Sequence, residues 1–209
     1  MTGTNAQRVG RLLVHLIKQP RYVVPYIQTN FVQPREALDL DLPWMSYAAI
    51  DFLEQFVRPG MSVFEYGSGG STLFFARRAL GVISVEDNRS WFEKVDRRLQ
   101  ERGFKNAELR YRPFHFANPT NFERSDYLNS IPNRKFDVIV VDGTEENVVV
   151  RPQCFHHAEN FVATGGIIVL DDSWRYPGLS QTHHAKEMKV FESVGPARMG
   201  VTSTNIFFY

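Results

Sequence analysis

Residues 63–72 read VFEYGSGGST, and this stretch decides the fold. Its first four residues are apolar except for Glu65, which is typical of a short buried strand. A glycine turn follows, and the apolar run at residues 73–80 predicts a helix that ends at Gly81. Strand, glycine turn and helix in this order bring bare backbone close to a ligand at the carboxyl edge of a parallel sheet. The alternative is a turn that only reverses the chain.

The composition fits one domain with a large core. The chain has 209 residues, 43% of them hydrophobic, and a formal net charge of +1, so no global charge points to nucleic acid. The single cysteine, Cys154, excludes an internal disulfide framework and fits a reducing compartment. No apolar run approaches the ~20 residues of a membrane-spanning helix, and no signal-peptide pattern is visible. We therefore expect a cytoplasmic protein.

The amino-terminal segment, residues 1–41, differs from the main domain that we predict at residues 42–209. Its first 35 residues carry five basic residues and no acidic one, and apolar residues recur at helical spacing between positions 9 and 17. We predict a short basic amphipathic helix. It either makes a peripheral membrane contact through residues 8–21 or forms a lid, or it caps the domain with its apolar stripe and exposes its arginines. We favour the cap.

The second predicted strand, residues 82–85, ends at Glu86 and Asp87. Glu86 follows Glu65 by 21 residues. Doubly wound nucleotide sites place an acid ~20 residues after the glycine turn, where its carboxylate accepts hydrogen bonds from ribose hydroxyls. We favour ribose binding for this pair over two solvated turn residues.

Two later strands also end in acids. Residues 136–143 read FDVIVVDG, and the continuous β-branched run predicts a central parallel strand with Asp142 at its carboxyl end. Residues 165–172 read GGIIVLDD and place Asp171 and Asp172 at the end of another. We expect Asp142 to be a general base or a cofactor anchor. With Asp171 and Asp172 it also has the oxygen ligands that Mg²⁺ prefers, although those two could instead cap a helix or lie in a loop.

Other candidate site residues lie in loops. Phe114 follows the third predicted strand, residues 107–111, and could stack on adenine or simply hold its loop down. His183 and His184 lie in a polar segment after Asp172. Either histidine could act as a general base, because imidazole has a suitable pKa. Alternatively, both are solvated residues at the start of a helix.

The remaining patterns predict secondary structure. Ser90 and Glu93 match a capping box at the start of a helix. Apolar residues at 188, 191 and 194 predict a helix, and residues 198–202 and 205–209 predict a closing antiparallel hairpin.

The charge of the predicted rim restricts the cofactor. So many carboxylates at one edge would repel the pyrophosphate of a dinucleotide. The turn also lacks the third glycine of G-x-G-x-x-G, because position 72 is Thr. S-adenosylmethionine (SAM) carries an ammonium and a sulfonium group and no phosphate. Coulomb energies of about a few kcal/mol at ~4 Å therefore favour SAM over NAD, and a divalent metal is a further possibility.

Together these motifs resemble class I SAM-dependent methyltransferases. The resemblance rests on residues 64–72, 85–87, 136–143 and 165–172. It implies an α/β, Rossmann-like fold with a doubly wound seven-stranded sheet of order 3-2-1-4-5-7-6, in which strand 7 is antiparallel. It also implies SAM as cofactor, with Glu65, Gly67 and Gly69 near its methionine end and Glu86 on its ribose. The full set of residues that we predict to contact the cofactor is Glu65, Tyr66, Gly67, Ser68, Gly69, Ser71, Thr72, Glu86, Asp87, Phe114 and Asp142.

Within that class, the acids at 142, 171 and 172 are similar to those of metal-dependent O-methyltransferases that act on small molecules, including sugars. The N-P-P-Y-type sequence of N-methyltransferases that modify nucleic-acid bases is absent, so we expect no nucleic-acid acceptor. We predict O-methylation of a small molecule or saccharide, with Asp142 and one of His183 or His184 in a proton or metal role. The alternatives are a non-catalytic SAM-binding module and an NAD(P)-dependent oxidoreductase.

Overall fold

A computed structural model describes residues 4–144 and 146–209, so the first three residues of the predicted amino-terminal segment lie outside the described residues. Seven strands form one sheet of order β3-β2-β1-β4-β5-β7-β6. The strands are β1 (Ser62–Tyr66), β2 (Gly81–Glu86), β3 (Ala107–Tyr111), β4 (Phe136–Val141), β5 (Val162–Leu170), β6 (Glu187–Gly195) and β7 (Arg198–Phe208). β1 to β5 pair in parallel, whereas β7 is antiparallel to both β5 and β6. The predicted α/β fold, strand order and direction of strand 7 are confirmed.

Helices and short helical turns connect the strands. The α-helices are α1 (Asn5–Lys18), α2 (Val23–Ile27), α3 (Tyr47–Phe56), α4 (Gly70–Ala76), α5 (Arg89–Glu101), α6 (Val150–Ala158) and α7 (Leu179–Thr182). Short 3-10 turns lie at Pro20–Tyr22, Phe122–Arg124, Leu128–Ser130 and Ser173–Arg175, and Gln28–Val32 forms a π-helical turn. Among the described residues, none of these helices is long and apolar enough to cross a bilayer.

The core lies on both faces of the sheet. Alternate residues of a strand point to opposite faces, so neighbours along β4 enter different clusters. Val138 and Val140 pack with residues of α3 and α4. Ile139 and Val141 pack with residues of α6 and of the loop before β4. Burial on both faces explains why the central strands are continuous apolar runs.

The predicted amphipathic helix is present as α1. Its side chains Leu12 and Leu16 pack against the core cluster beside α3, and Tyr22 and Tyr26, which follow, are buried in that cluster. The helix contacts β6 and β7. The division of the chain at residue 41 stays a prediction.

The predicted helix at residues 188–194 is wrong. This stretch belongs to β6, which pairs with β7 along its length, and the two strands that we predicted after residue 198 are parts of the single strand β7. The chain reverses at Ala197, which has a φ of 51°. Cross-strand pairing with β7 decides the structure here and overrides the three-residue spacing of the apolar side chains.

Two predicted helix limits are also wrong. Helix α4 begins at Gly70 inside the glycine turn, and Gly81 opens β2 instead of ending the helix. The predicted capping box of α5 is replaced by an N-cap at Asn88, whose side chain accepts a hydrogen bond from the Trp91 N–H at 3.0 Å. Ser90 lies within the first turn, and its hydroxyl donates to Asn88.

Candidate active site

A cavity of about 600 Å³ opens at the carboxyl edge of the sheet. Its walls include the residues that follow β1, β2, β4 and β5. The strand order reverses between β1 and β4, and ligands of open α/β sheets bind in the crevice at such a switch point. Of the predicted site residues, the structure places the following along this cavity: Gly67, Ser68, Gly69, Ser71, Glu86, Asp87, Asp142, Asp171 and Asp172.

The glycine turn brings β1 close to the end of β4. Gly67 has a φ of +95°, and a Cβ atom on it would lie 2.6 Å from the carbonyl oxygen of Asp142. A side chain at Gly70 would collide with the carbonyl oxygen of Leu42. Gly69 faces Trp91, whose ring nitrogen donates to the Ser68 carbonyl at 2.8 Å. Gly67 and Gly70 therefore leave no room for a side chain, and the turn lines the cavity with bare backbone.

Glu65 lies behind this turn and does not line the cavity. Its Oε2 accepts hydrogen bonds from the hydroxyls of Thr72 at 2.7 Å and Ser84 at 2.5 Å, and Thr72 in turn accepts from the Gly69 N–H. Complete burial raises the pKa of Glu65. The predicted contact between Glu65 and SAM is therefore not supported, because this carboxyl holds α4 to the sheet.

Tyr66, Thr72 and Phe114 also lie outside the cavity. Tyr66 donates its hydroxyl to the carbonyl oxygen of Leu128 at 2.7 Å inside the core. Phe114 packs its ring against Phe116 and Phe122, with centroids 5.2 and 5.1 Å away. The alternative for Phe114, an aromatic side chain that holds its loop down, is what the structure shows.

Glu86 lines the cavity and organises the turn around it. Its Oε2 accepts from the Ser68 hydroxyl at 2.7 Å and the Ser68 N–H at 3.2 Å, and its Oε1 accepts from the N–H groups of Asp87 and Asn88. Burial raises the pKa of Glu86. Burial, together with the charge of Glu86, also raises the pKa of Asp87 to about 7.

Asp142 pairs with Arg151, a buried residue that the sequence analysis missed. The Arg151 guanidinium lies 3.2 Å from Asp142 Oδ1 and donates to the carbonyl oxygens of Gly143 and Asp171. Burial, then the charge of Asp171, raises the pKa of Asp142 well above its usual range, and Arg151 opposes this rise. The signal available in the sequence was the position of Arg151, a basic residue in the first turn of α6, the helix that follows the central strand β4.

Asp171 and Asp172 are held by Arg198 and by hydroxyl groups of β7. Arg198 donates to both oxygens of Asp172, at 2.7 and 2.9 Å, and to Asp171 at 3.2 Å. Thr204 donates to Asp171 and Thr202 to Asp172. Burial and the charge of Asp172 raise the pKa of Asp171 to about 6.

The predicted magnesium site at Asp142, Asp171 and Asp172 is not supported. In the described part of the chain, no group of three or more His, Cys, Asp or Glu side chains has the geometry to hold a metal ion. Two arginines compensate the charge of these carboxylates, and Thr202 and Thr204 occupy further oxygens. The donor set therefore does not fit Mg²⁺, which needs open carboxylate oxygens.

The structure places His183 and His184 far from the acids of the cavity. His184 contacts Glu159 at the carboxyl end of α6 through its N–H and ring, and His183 packs against Phe207 with ring centroids 5.0 Å apart. β6 is antiparallel to β7, which is antiparallel to β5, so β6 starts at the amino edge of the sheet. The segment just before β6 must therefore lie opposite the cavity, and the prediction of a histidine base is wrong.

Two aromatic residues lie at or behind the cavity wall. Trp44 lines the cavity with 52% of its surface exposed, and its ring nitrogen donates to the Ala197 carbonyl. Tyr127 is buried, and its hydroxyl has no hydrogen-bond partner within residues 4–144 and 146–209. That hydroxyl faces Gly143 at the cavity wall, where a side chain would collide with it.

The cavity as a whole is acidic. Two arginines, Arg35 and Arg151, line it. Among the described residues, seven acids line its wall: Glu36, Glu86, Asp87, Asp142, Glu146, Asp171 and Asp172. Arg151 and Arg198 offset the three acids that follow β4 and β5. The remaining excess of acids over Arg35 favours a ligand with positive charge.

Comparison with known proteins identifies the fold. The sequence matches no protein-family model and no curated protein. The structure is similar to an O-methyltransferase from Bacillus cereus in complex with SAH, at 16% identity and a TM-score of 0.63, covering 88% of this chain and 96% of that one. The O-methyltransferase TomG from Streptomyces achromogenes, which is involved in tomaymycin synthesis and was solved with SAM, shares 19% identity at a TM-score of 0.58, covering 91% and 98%.

An rRNA methylase from Streptococcus thermophilus is also similar, at 12% identity and a TM-score of 0.55, covering 77% of this chain and 93% of that one. These similarities establish the class I, Rossmann-like methyltransferase fold. They include proteins of both acceptor types by name, so they do not support the expectation that nucleic acid is excluded as an acceptor.

Proposed function

We propose that this chain is a SAM-dependent methyltransferase. The observation that carries the proposal is the acidic cavity over the glycine turn, at the switch point between β1 and β4. Carboxylates attract the sulfonium and ammonium groups of SAM and repel the pyrophosphate of NAD(P). The antiparallel strand β7 between β5 and β6 also differs from the strand order 3-2-1-4-5-6 of dinucleotide-binding folds, which argues against the oxidoreductase alternative.

The residues of the cavity fit this cofactor. Gly67 and Gly69 provide backbone without side chains at the point where a ligand would approach. Glu86 is our candidate for the ribose, because a carboxylate accepts two hydroxyls and a ribose hydroxyl could take the place of the Ser68 hydroxyl on Oε2.

Asp142 is our candidate for the general base. When bound, SAM supplies an electrophilic methyl group, so the protein has to align the acceptor and remove its proton. The raised pKa of Asp142, caused by burial, makes this carboxylate a better proton acceptor than a solvated aspartate. Arg151 fixes its position and opposes the rise of its pKa.

The acceptor that we favour is a hydroxyl group of a small molecule or saccharide. Glu146 at the cavity wall would repel the phosphates of a nucleic acid. Trp44 presents an exposed indole face beside the cavity, with the Arg198 guanidinium 5.1 Å from its ring centroid. Such a face suits the apolar face of a sugar ring. An RNA acceptor and a non-catalytic SAM-binding module remain the alternatives.

The test is transfer of a labelled methyl group from SAM to two panels of acceptors, one of hydroxyl compounds and saccharides and one of RNA. We expect label in the first panel, and we expect Asp142→Asn to lose transfer but retain SAM binding. Glu93→Gln, an exposed acid on α5, is the matched control and should keep full activity. Label in RNA alone would contradict the acceptor class, and SAM binding without any transfer would favour the non-catalytic module.

A further inference from the structure

The apolar residues of α1 form two stripes, and the domain covers one of them. Leu12 and Leu16 pack against the core cluster. Val9, Leu13 and Ile17, which repeat every four residues, face solvent, and Ile17 is 78% exposed. Packing of α1 on the domain as a cap therefore accounts for one of the two apolar stripes. The other stripe stays exposed to solvent.

A network centred on Glu192 of β6 fixes which stripe faces outward. Arg11 and His15 pair with the two Glu192 carboxylate oxygens at 2.6 and 2.8 Å. Gln19 donates to the Glu192 backbone carbonyl at 3.0 Å. These contacts anchor the polar side of α1 to β6, and no residue of α1 lines the acidic cavity, so α1 does not act as its lid.

Exposed apolar side chains are concentrated in this part of the molecule. Fifteen large apolar residues are exposed in the described part of the chain, and eight of them lie between Val9 and Val32. Beyond α1 they are Val24, Ile27, Phe31 and Val32. Isolated exposed apolar residues are normal on a soluble domain, whereas a concentration of them marks an interaction surface.

The charge of the same segment is strongly positive. Residues 1–35 hold five of the 24 basic residues and none of the 23 acidic ones. The other residues carry 19 basic against 23 acidic side chains, a net charge of −4. The positive charge of the chain is therefore concentrated where its exposed apolar residues are.

We propose that the exposed stripe of α1, Val9, Leu13 and Ile17, docks on an anionic lipid surface. A helix in the plane of a membrane interface inserts its apolar face between headgroups while nearby Lys and Arg residues contact anionic lipids. Lys18, the last residue of α1, suits this arrangement and is exposed. Arg21 in the turn that follows is also exposed, and it pairs with Asp51 at 3.3 Å. A second copy of the chain fits the face less well, since a two-fold contact would bring two basic segments together.

The experiment is co-sedimentation of the whole chain with lipid vesicles. We expect binding to phosphatidylcholine vesicles that contain phosphatidylglycerol, no binding to pure phosphatidylcholine, and weaker binding as salt is raised. The double variant Leu13→Gln/Ile17→Gln should weaken binding about tenfold or more, because two apolar anchors are lost. The matched control, Leu80→Gln/Val190→Gln, changes apolar residues that are equally exposed elsewhere and should bind as the wild type does.

Thermal unfolding of both double variants verifies that they are folded. Failure of the wild type to bind the anionic vesicles would overturn the proposal, as would equal loss of binding in the control. Sedimentation velocity without lipid tests whether a second copy of the chain covers the stripe instead. If the wild type forms a dimer and Leu13→Gln/Ile17→Gln is monomeric, the stripe is a dimer contact and the lipid assignment is overturned.

Discussion

Gly67 shows how a single residue positions the site. Its left-handed backbone and its approach to the Asp142 carbonyl are both incompatible with a side chain. The sequence predicted the glycine turn, because the spacing of Gly67 and Gly69 is local information. It did not predict that Glu65 would lie behind the turn while Glu86 faces the cavity, since each side-chain direction depends on the pairing of β1 with β2.

Gly67→Ala should destabilise the protein. A Cβ 2.6 Å from the Asp142 carbonyl forces the turn to shift, and a non-glycine residue at a φ of +95° is strained. We expect the free energy of unfolding to fall by about 1–3 kcal/mol. Gly60→Ala is the matched control, because a Cβ there meets no atom within 4 Å. Urea denaturation measures both, and equal stability of the two variants would contradict the assigned role of Gly67.

Asp87 should make stability depend on pH. Its pKa is raised to about 7 by burial and by Glu86, so between its usual value and about 7 the folded state binds more protons than the unfolded state. The free energy of unfolding must then fall as pH rises through this window. Asp87→Asn should flatten the dependence between about pH 4 and about pH 7 in urea denaturation. Asp126→Asn, at an exposed acid, should leave the slope unchanged, and an unchanged slope in Asp87→Asn would refute the assignment.

At the scale of elements, the hairpin of β6 and β7 differs most from the sequence prediction. Local apolar spacing at residues 188–194 predicted a helix, but long-range pairing with β7 makes it a strand. The same hairpin supplies Arg198 to Asp171 and Asp172, which are more than 25 residues away in sequence. No local pattern could reveal that pairing, and for this reason the acids were predicted to bind a metal.

Arg198 should be essential to the stability of this hairpin. Arg198→Met leaves two buried carboxylates without their main counter-charge, and we expect a loss of about 3–5 kcal/mol. Combining it with Asp172→Asn should recover part of that loss in a double-mutant cycle of denaturation free energies. Lys189→Ala, which removes a cation from an exposed pair with Glu187, should have little effect. Additive effects of the Arg198 and Asp172 changes would contradict direct compensation.

The start of α5 offers a second test at this scale. Asn88→Ala removes the side chain that accepts from the Trp91 N–H and should cost about 1 kcal/mol of unfolding free energy. Ser90→Ala, at the position that the capping-box pattern had assigned, should cost clearly less. Thermal or urea unfolding of the two variants distinguishes the caps, and a larger loss at Ser90 would favour the pattern over the structure.

At the scale of the whole molecule, strand order and charge act together. The order β3-β2-β1-β4-β5-β7-β6 was predicted, because four motifs in sequence implied a known architecture. The enclosing wall was not predicted, since residues 35–38 of the amino-terminal segment line the cavity together with Trp44, which follows that segment. The result is an acidic cavity on a chain whose positive charge is concentrated in its first 35 residues.

Cofactor binding measured by titration calorimetry tests the central claim most directly. The wild-type chain should bind SAM with a Kd on the order of micromolar, which is about −8 kcal/mol, and should show no heat of binding with NAD. This follows because the acidic cavity attracts the sulfonium and ammonium groups and repels a pyrophosphate. Binding of NAD, or no binding of SAM, would contradict the account.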